Sequence, residues 1–302
     1  MDILNKHYIY INAFWNGFVD KKDPNNIDFF KKIFLQSKKL KNFEITTDIH
    51  QANVLFESIS MFGQSLTTIK NWKYKIHYSG EPFRNNSLDY DLVLDSEKSK
   101  DNNIVDLPLC VYYTHENCRL DKLLNRQCIT KIPIEFCCFI VSNGNCHIRN
   151  NVFEVLNQYK KVHSYGRFAN NMGPDSNINH GWGTDEYINF IRKYKFIICF
   201  ENTKKGTYIT EKIVNPYLAQ IVPIYWGTHH VKNIFNVESM LFLEDETTES
   251  FVKLVNRIIE LDNDDKKYLE CVNSQTLIID YWNNHYTIDT IARKIDSVFD
   301  IW

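Results

Sequence analysis

The stretch from Phe196 to Gly227, FIICFENTKKGTYITEKIVNPYLAQIVPIYWG, constrains the fold more than any other part of the chain. It opens with a short apolar run, Phe196-Ile197-Ile198-Cys199-Phe200, and passes through a polar loop containing Gly206. An apolar-periodic segment follows, and a second apolar run, Val222 to Trp226, closes it. Two strand-length runs separated by room for about ten residues of helix predict a right-handed βαβ unit of a parallel sheet, with the first loop on the ligand side. That loop and the helix start hold Glu201, Asn202, Tyr208, Glu211 and Lys212. Either Thr207 or Thr210 fits the N-cap, and either start aims unpaired N–H groups at the loop mouth, with Lys212 in or near the first turn. An anionic ligand, a phosphate group above all, suits such a place. Taken alone, the same pattern also suits a plain core unit in which Glu211-Lys212 is a solvated pair.

The order F-E-N, then Y-x-T-E-K-I, then V-P-I-Y-W-G closely resembles the donor-binding signature of the α1,3/4-fucosyltransferase family, glycosyltransferase family 10. About a dozen spaced identities with different chemical roles carry the resemblance, which is tight over Gly80–Tyr113 and Ile132–Gly227 and weak at both ends.

A chain of 302 residues suits two domains of roughly 130 to 170 residues each. Its 35 basic and 37 acidic side chains nearly cancel, so there is no field to hold nucleic acid or an anionic membrane, and any basic site is local. The N-terminus lacks a signal-peptide pattern, and no run approaches 18 consecutive apolar residues. The eight cysteines show no C-x-x-C spacing, and Cys137 and Cys138, adjacent on one expected strand, face opposite sides. Reduced thiols in a soluble, cytoplasmic protein without a membrane anchor are the expectation.

Along the chain, His7 to Ile11 reads as a buried strand and Asp23-Pro24 as the start of an amphipathic helix carrying Ile27, Phe30, Ile33 and Phe34. Further strands are expected at 52–56, 74–78 and 90–94. The Tyr74 strand exits through Ser79-Gly80-Glu81-Pro82-Phe83, where a glycine lets the backbone turn and Glu81 hangs a carboxylate over the crevice in which open α/β sheets bind. An ordinary strand-to-turn exit has the same composition. Asp89-Tyr90-Asp91 has the D-x-D spacing of a metal site, but it lies at a strand start in the half opposite the phosphate loop, and we reject it. Asp262 to Asp265 reads as a helix cap.

A domain boundary is placed in the polar stretch before Ile132-Pro133, giving an N-terminal α/β domain over 1–131 and a C-terminal domain over 132–302 whose last helix packs back across the first. Residues 139–143 end a strand, and Arg149 opens a helix with Val152, Val155, Leu156 and Tyr159 on one face. The Gly- and Asn-rich loop from Phe168 to Thr184 is expected to be mobile. Pro216 should kink or shorten the crossover helix.

The resemblance implies two Rossmann-like domains facing a cleft, of the GT-B type, and an inverting transfer of L-fucose from GDP-β-L-fucose to a glycan acceptor. It implies Glu81 as the catalytic base, Arg149 and Lys212 on the donor pyrophosphate, and a site not built around a D-x-D metal, so no metal cofactor is expected. Asn202, Tyr208 and Glu211 complete the donor-binding set; whether Glu211 binds a sugar hydroxyl or stabilises positive charge at the anomeric carbon stays open. The C-terminal cysteine pairs of secreted animal relatives are not matched. Two rival readings remain: a same-fold transferase with another nucleotide sugar, and a non-catalytic carbohydrate- or nucleotide-binding module. Joint presence of Glu81, Arg149 and Lys212 speaks against the module.

Overall fold

The fold, taken from a computed structural model of the chain, is described for residues 6–97, 101–173 and 183–301. The chain forms two compact α/β units. One comprises Met1–Asn117, Gly206–Tyr208 and Ile279–Trp302, the other Cys118–Lys205 and Ile209–Ile278.

In the first unit the order is β1 (His7–Asn12), α1 (Asp28–Gln36), β2 (Phe43–Thr46), β3 (Val54–Glu57), β4 (Tyr74–Tyr78), β5 (Leu92–Asp95), β6 (Ile104–Asp106) and α2 (Leu109–His115). The six strands pair in parallel in the order β2-β1-β3-β4-β5-β6. Order reverses at β1, so the crevice of a doubly wound sheet lies at the carboxyl ends of β1 and β3. α1 begins at Asp28, five residues after Asp23, because the Asp23 carboxylate accepts the Asn25 N–H at 2.7 Å and Asn26 Oδ1 accepts that of Asp28 at 3.0 Å; these turns occupy the expected first helical turn. Phe29, Phe30, Ile33 and Phe34 of α1 are buried. The Phe30 ring lies 5.0 Å from Phe56, 4.9 Å from Tyr78 and 5.3 Å from Tyr112, so this helix contributes roughly 1.5–3 kcal/mol per buried side chain to the core.

The second unit runs α3 (Arg119–Leu124), β7 (Glu135–Phe139), α4 (His147–Tyr159), β8 (Val162–Ser164), α5 (Asp185–Ile191), β9 (Tyr194–Ile198), α6 (Glu211–Ala219), β10 (Val222–Tyr225), α7 (Val231–Ile234), β11 (Leu241–Phe242), α8 (Thr248–Asn263) and α9 (Asp265–Asn273). Its five parallel strands are ordered β11-β10-β9-β7-β8, again doubly wound, with the switch point between β7 and β9. β9 and β10 are buried throughout, which is why they read as unbroken apolar runs. β9 starts two residues before Phe196 and ends at Ile198, leaving Cys199 and Phe200 beyond the strand.

The division between the units falls after Asn117, earlier than residue 131, because the polar stretch folds as α3 and buries Arg119 and Leu123 within the second unit. Of the acidic cluster, Asp264 caps α9 through the Lys267 N–H. Asp262 instead pairs with Lys160 at 3.0 Å and Lys195 at 3.1 Å. Of the loop expected to be mobile, residues 174–182 lie outside the described residues. Pro216 sits inside α6, which stops at Ala219 with Gln220 left-handed (φ 58°).

The chain then returns to the first unit as α10 (Ile279–His285) and α11 (Ile288–Phe299). α11 is capped by Thr287 and packs on α1. Its buried Asp296 accepts from Ser37 Oγ at 2.6 Å and from the backbone N–H groups of Lys38 (2.8 Å) and Lys39 (3.2 Å), satisfying the turn that follows α1. Among the described residues, no helix is long and apolar enough to cross a membrane.

Candidate active site

The loops after β7 and β9 meet the helix starts of α4 and α6 at the switch point of the second unit, and four charged side chains, Arg149, Glu201, Glu211 and Lys212, collect there. Arg149 occupies the first turn of α4 and is 2% exposed, so it is not the solvated charge that helix-start arginines usually are. Its guanidinium donates to Asn143 O at 2.6 Å, to Asn202 Oδ1 at 3.2 Å and to Phe200 O at 3.4 Å. Asn143 follows β7, and Phe200 and Asn202 follow β9, so one side chain ties the two edges of the crevice together. Arg149 Nε is buried with no hydrogen-bond partner among the described residues. Burial works against the charge of this arginine, and the nearby Glu201 carboxylate works for it.

Thr210, not Thr207, is the N-cap of α6: its hydroxyl accepts the Lys212 N–H at 3.3 Å. Thr207 is held elsewhere. Its N–H donates to Ser96 O at 2.7 Å and its hydroxyl to the Asp106 carboxylate, which draws Gly206–Tyr208 into the first unit. Tyr208, expected on the donor loop, is accordingly 2% exposed within a segment of that unit.

Glu201 stands three residues past the end of β9 and is fully buried. Its Oε1 accepts from Thr210 N (2.7 Å) and Tyr225 Oη (3.0 Å), and its Oε2 from Thr210 Oγ1 (2.9 Å) and Lys212 Nζ (3.4 Å). Only donors surround the group, as an ionised carboxylate requires. Gly227 makes room for it: a Cβ there would lie 3.0 Å from Glu201 Cγ and 2.8 Å from Tyr225 Oη. Burial raises the Glu201 pKa against the opposing pull of Lys212. For Lys212, burial works to lower the pKa, but the Glu201 and Glu211 carboxylates outweigh it and the net direction is up. Lys212 Nζ also lies 3.3 Å from Thr210 Oγ1 and 3.9 Å from a Glu211 carboxylate oxygen, and its side chain is 20% exposed. Glu211 and Lys212 are therefore paired, but over a buried carboxylate and not as an isolated solvated pair.

Glu81 lies in the first unit, half-buried, on the loop that follows β4. That loop is pinned on both sides. Ser79 Oγ accepts the Glu81 N–H at 3.2 Å and donates to Phe83 O at 2.5 Å. Arg84 pairs with Asp95 at 3.0 Å and Glu97 at 3.5 Å. Burial raises the Asp95 carboxyl to about 6 despite Arg84. Gly80 packs tightly: a Cβ would stand 3.1 Å from both Leu109 Cδ1 and Tyr78 Oη. Asp91, from the rejected D-x-D, is spent on structure, accepting the Lys75 N–H at 2.7 Å.

Of the residues singled out in the sequence, the structure thus joins Arg149 to Asn202 and Lys212 to Glu211 in the second unit, and places Glu81 and Tyr208 in the first. The sequence places Glu201 on the loop and Thr210 as a candidate cap but gives them no joint role; the structure binds them with Tyr225 into one supporting group. Its signal was present, since Glu201 and Tyr225 belong to the motifs that flank the crossover, but burial of a carboxylate is not written in a motif.

Residues 133–297 match the family described as "Glycosyltransferase family 10 (fucosyltransferase) C-term". An alpha-(1,3)-fucosyltransferase FucT of Helicobacter pylori is 32% identical over 142 residues, which is 47% of this chain and 28% of that protein. A 4-galactosyl-N-acetylglucosaminide 3-alpha-L-fucosyltransferase 9 of Homo sapiens is 29% identical over 155 residues, 50% of this chain and 38% of that protein. The chain therefore spans well under half the length of these relatives. Among solved structures, an alpha1,3-fucosyltransferase superposes with a TM-score of 0.69 at 19% identity, covering 98% of this chain and 90% of the other. A complex described as alpha1,3-fucosyltransferase with GDP-fucose gives 0.64 at 20% identity, with the same coverage. At these identities the structural likeness speaks for the fold.

Proposed function

The chain belongs to glycosyltransferase family 10, the fucosyltransferase family, and from that premise we propose that it transfers L-fucose from GDP-β-L-fucose to a hydroxyl of a glycan acceptor, with inversion at the anomeric carbon. The observation that carries the reading is the crevice of the second unit, where Arg149 at the start of α4 bonds Asn202 and Lys212 stands at the start of α6. A nucleoside diphosphate leaving group gains charge as its bond to the sugar breaks. The planar fork of Arg149 and the point charge of Lys212 are suited to neutralise it. Asn202 hydrogen-bonds the donor, and Glu211 binds a sugar hydroxyl or steadies positive charge at the anomeric carbon.

Glu81 acts as general base. The acceptor oxygen bonds to the anomeric carbon, the bond to the diphosphate oxygen breaks, and the acceptor proton passes to the Glu81 carboxylate. The pinned Ser79–Arg84 loop supports this role by limiting where Glu81 can move. Among the described residues none of the eight cysteines is in a disulfide, which suits a reducing compartment such as the cytoplasm.

The test is transfer from a panel of sugar nucleotides to glycan acceptors, with and without EDTA. GDP-fucose is expected to be the preferred donor and turnover to survive chelation. Preference for another donor overturns the sugar assignment, and activity lost in EDTA and restored only by a divalent cation overturns the metal-independent leaving-group assignment. Glu81→Gln keeps shape and hydrogen bonding but removes the base, so turnover should fall about 10²–10⁴-fold with GDP affinity nearly parental. Near-parental turnover in a folded sample would move the base to another carboxylate.

A further inference from the structure

We propose that Glu201 is a positioning residue of the donor site: its buried carboxylate fixes the Lys212 ammonium at the first turn of α6 and, through Lys212, sets the affinity for a nucleoside diphosphate. The inference rests on the reading that Lys212 belongs to the diphosphate site, and goes beyond it by assigning what keeps that lysine in place.

Glu201 is fully buried and cannot touch a ligand itself. Its hydrogen-bond partners are all donors, four donor atoms on three residues of two elements. Thr210 supplies the N-cap of α6, Lys212 its second residue, and Tyr225 the end of β10. One carboxylate thereby fixes where α6 begins, how Thr210 caps it, and where the lysine stem ends. A lysine ends in a flexible four-carbon stem, and an ammonium offered to a phosphate from many rotamers loses entropy on binding. Here Nζ is held between Glu201 at 3.4 Å, Thr210 Oγ1 at 3.3 Å and Glu211 at 3.9 Å. The site is built to close tolerance, since a Cβ at position 227 would stand 2.8 Å from Tyr225 Oη and 3.0 Å from Glu201 Cγ, so that one of them would have to shift.

The groups bearing on Lys212 are Glu201 and Glu211, which favour its charge, and Arg149, which opposes it; Tyr225 contacts the Glu201 carboxylate, and the buried Cys199 thiol lies within reach of both charges. Without the Glu201 charge, burial and Arg149 act against the ammonium with Glu211 as the remaining carboxylate. Lys212 should then lose its proton at lower pH.

The experiment is GDP binding by calorimetry between pH 7 and 10 on the parent, Glu201→Gln, Lys212→Ala and the double variant, each checked for folding by circular dichroism. GDP titrates identically in every arm, so only differences between variants are read. Glu201→Gln is expected to weaken binding on the order of tenfold at pH 7 and to move the alkaline loss of affinity to lower pH. Lys212→Ala should weaken binding as well, and the double variant should bind like Lys212→Ala alone, because Glu201 acts through the lysine. Parental affinity and an unmoved alkaline limb in Glu201→Gln overturn the proposal, as do additive losses in the double variant. If Lys212→Ala binds GDP as the parent does, the underlying donor-site reading fails instead. Should Glu201→Gln not fold, Glu201→Asp keeps the charge but draws it back by one methylene from Lys212 Nζ. It should weaken GDP binding at pH 7, and parental affinity there overturns the proposal.

Discussion

His77 shows how far a single residue is fixed by its partners. It is fully buried in β4, its Nδ1 lies 3.2 Å from Glu57 O, and its Nε2 lies 3.4 Å from the Asn85 N–H. A neutral ring with the proton on Nδ1 satisfies both contacts, whereas a second proton would face an N–H donor. Burial, chiefly, pushes its pKa down to about 4. Between pH about 6.5 and 4 the unfolded chain therefore holds a proton that the folded chain refuses, and stability falls as pH falls through that window, by roughly 3 kcal/mol at most. Asp95 has the opposite sign. Its carboxyl, raised to about 6, keeps a proton that the unfolded chain releases down to near 3.8, so it adds stability as pH falls from about 6. Thermal melts at pH 7, 6 and 5 should show a steeper acid loss in Asp95→Asn than in the parent, and a shallower one in His77→Gln. Equal slopes in all three would show that neither group governs the acid limb.

At the scale of elements, local periodicity carried α11 but not what it does. Its apolar face is legible, whereas the role of Asp296 is not, because its partner Ser37 is 259 positions away. Asp296→Asn keeps the volume but places an amide donor against the donors of Ser37, Lys38 and Lys39. It should cost about 1–3 kcal/mol and lower the melting temperature by several degrees, measured by calorimetry. An unchanged melting temperature would mean that the α1 turn satisfies itself. The same limit governed the crossover helix. Thr207 and Thr210 were equivalent as caps in sequence, and Ser96 and Asp106, about a hundred positions upstream, decide between them by engaging Thr207.

Across the whole molecule, two parallel α/β units were legible because strands buried on both faces leave unbroken apolar runs, as β9 and β10 do. The four residues of β2 and the three of β6 left no such run, and they escaped notice. Of the candidate site, the charged residues were legible as motif positions and their supports were not, since Glu201 looks like any loop carboxylate until its burial is known. The first unit, moreover, is assembled from three stretches of chain, one of them Ile279–Trp302. On a ribosome the second unit emerges in full before α11 exists to pack on α1, so Ser37, Lys38 and Lys39 at the end of α1 wait for Asp296 while more than half of the chain is still being made. Nascent chains stalled before α11 should thus be the form of this protein that chaperones hold longest, and mutations in α11 should act on yield in cells before they act on catalysis.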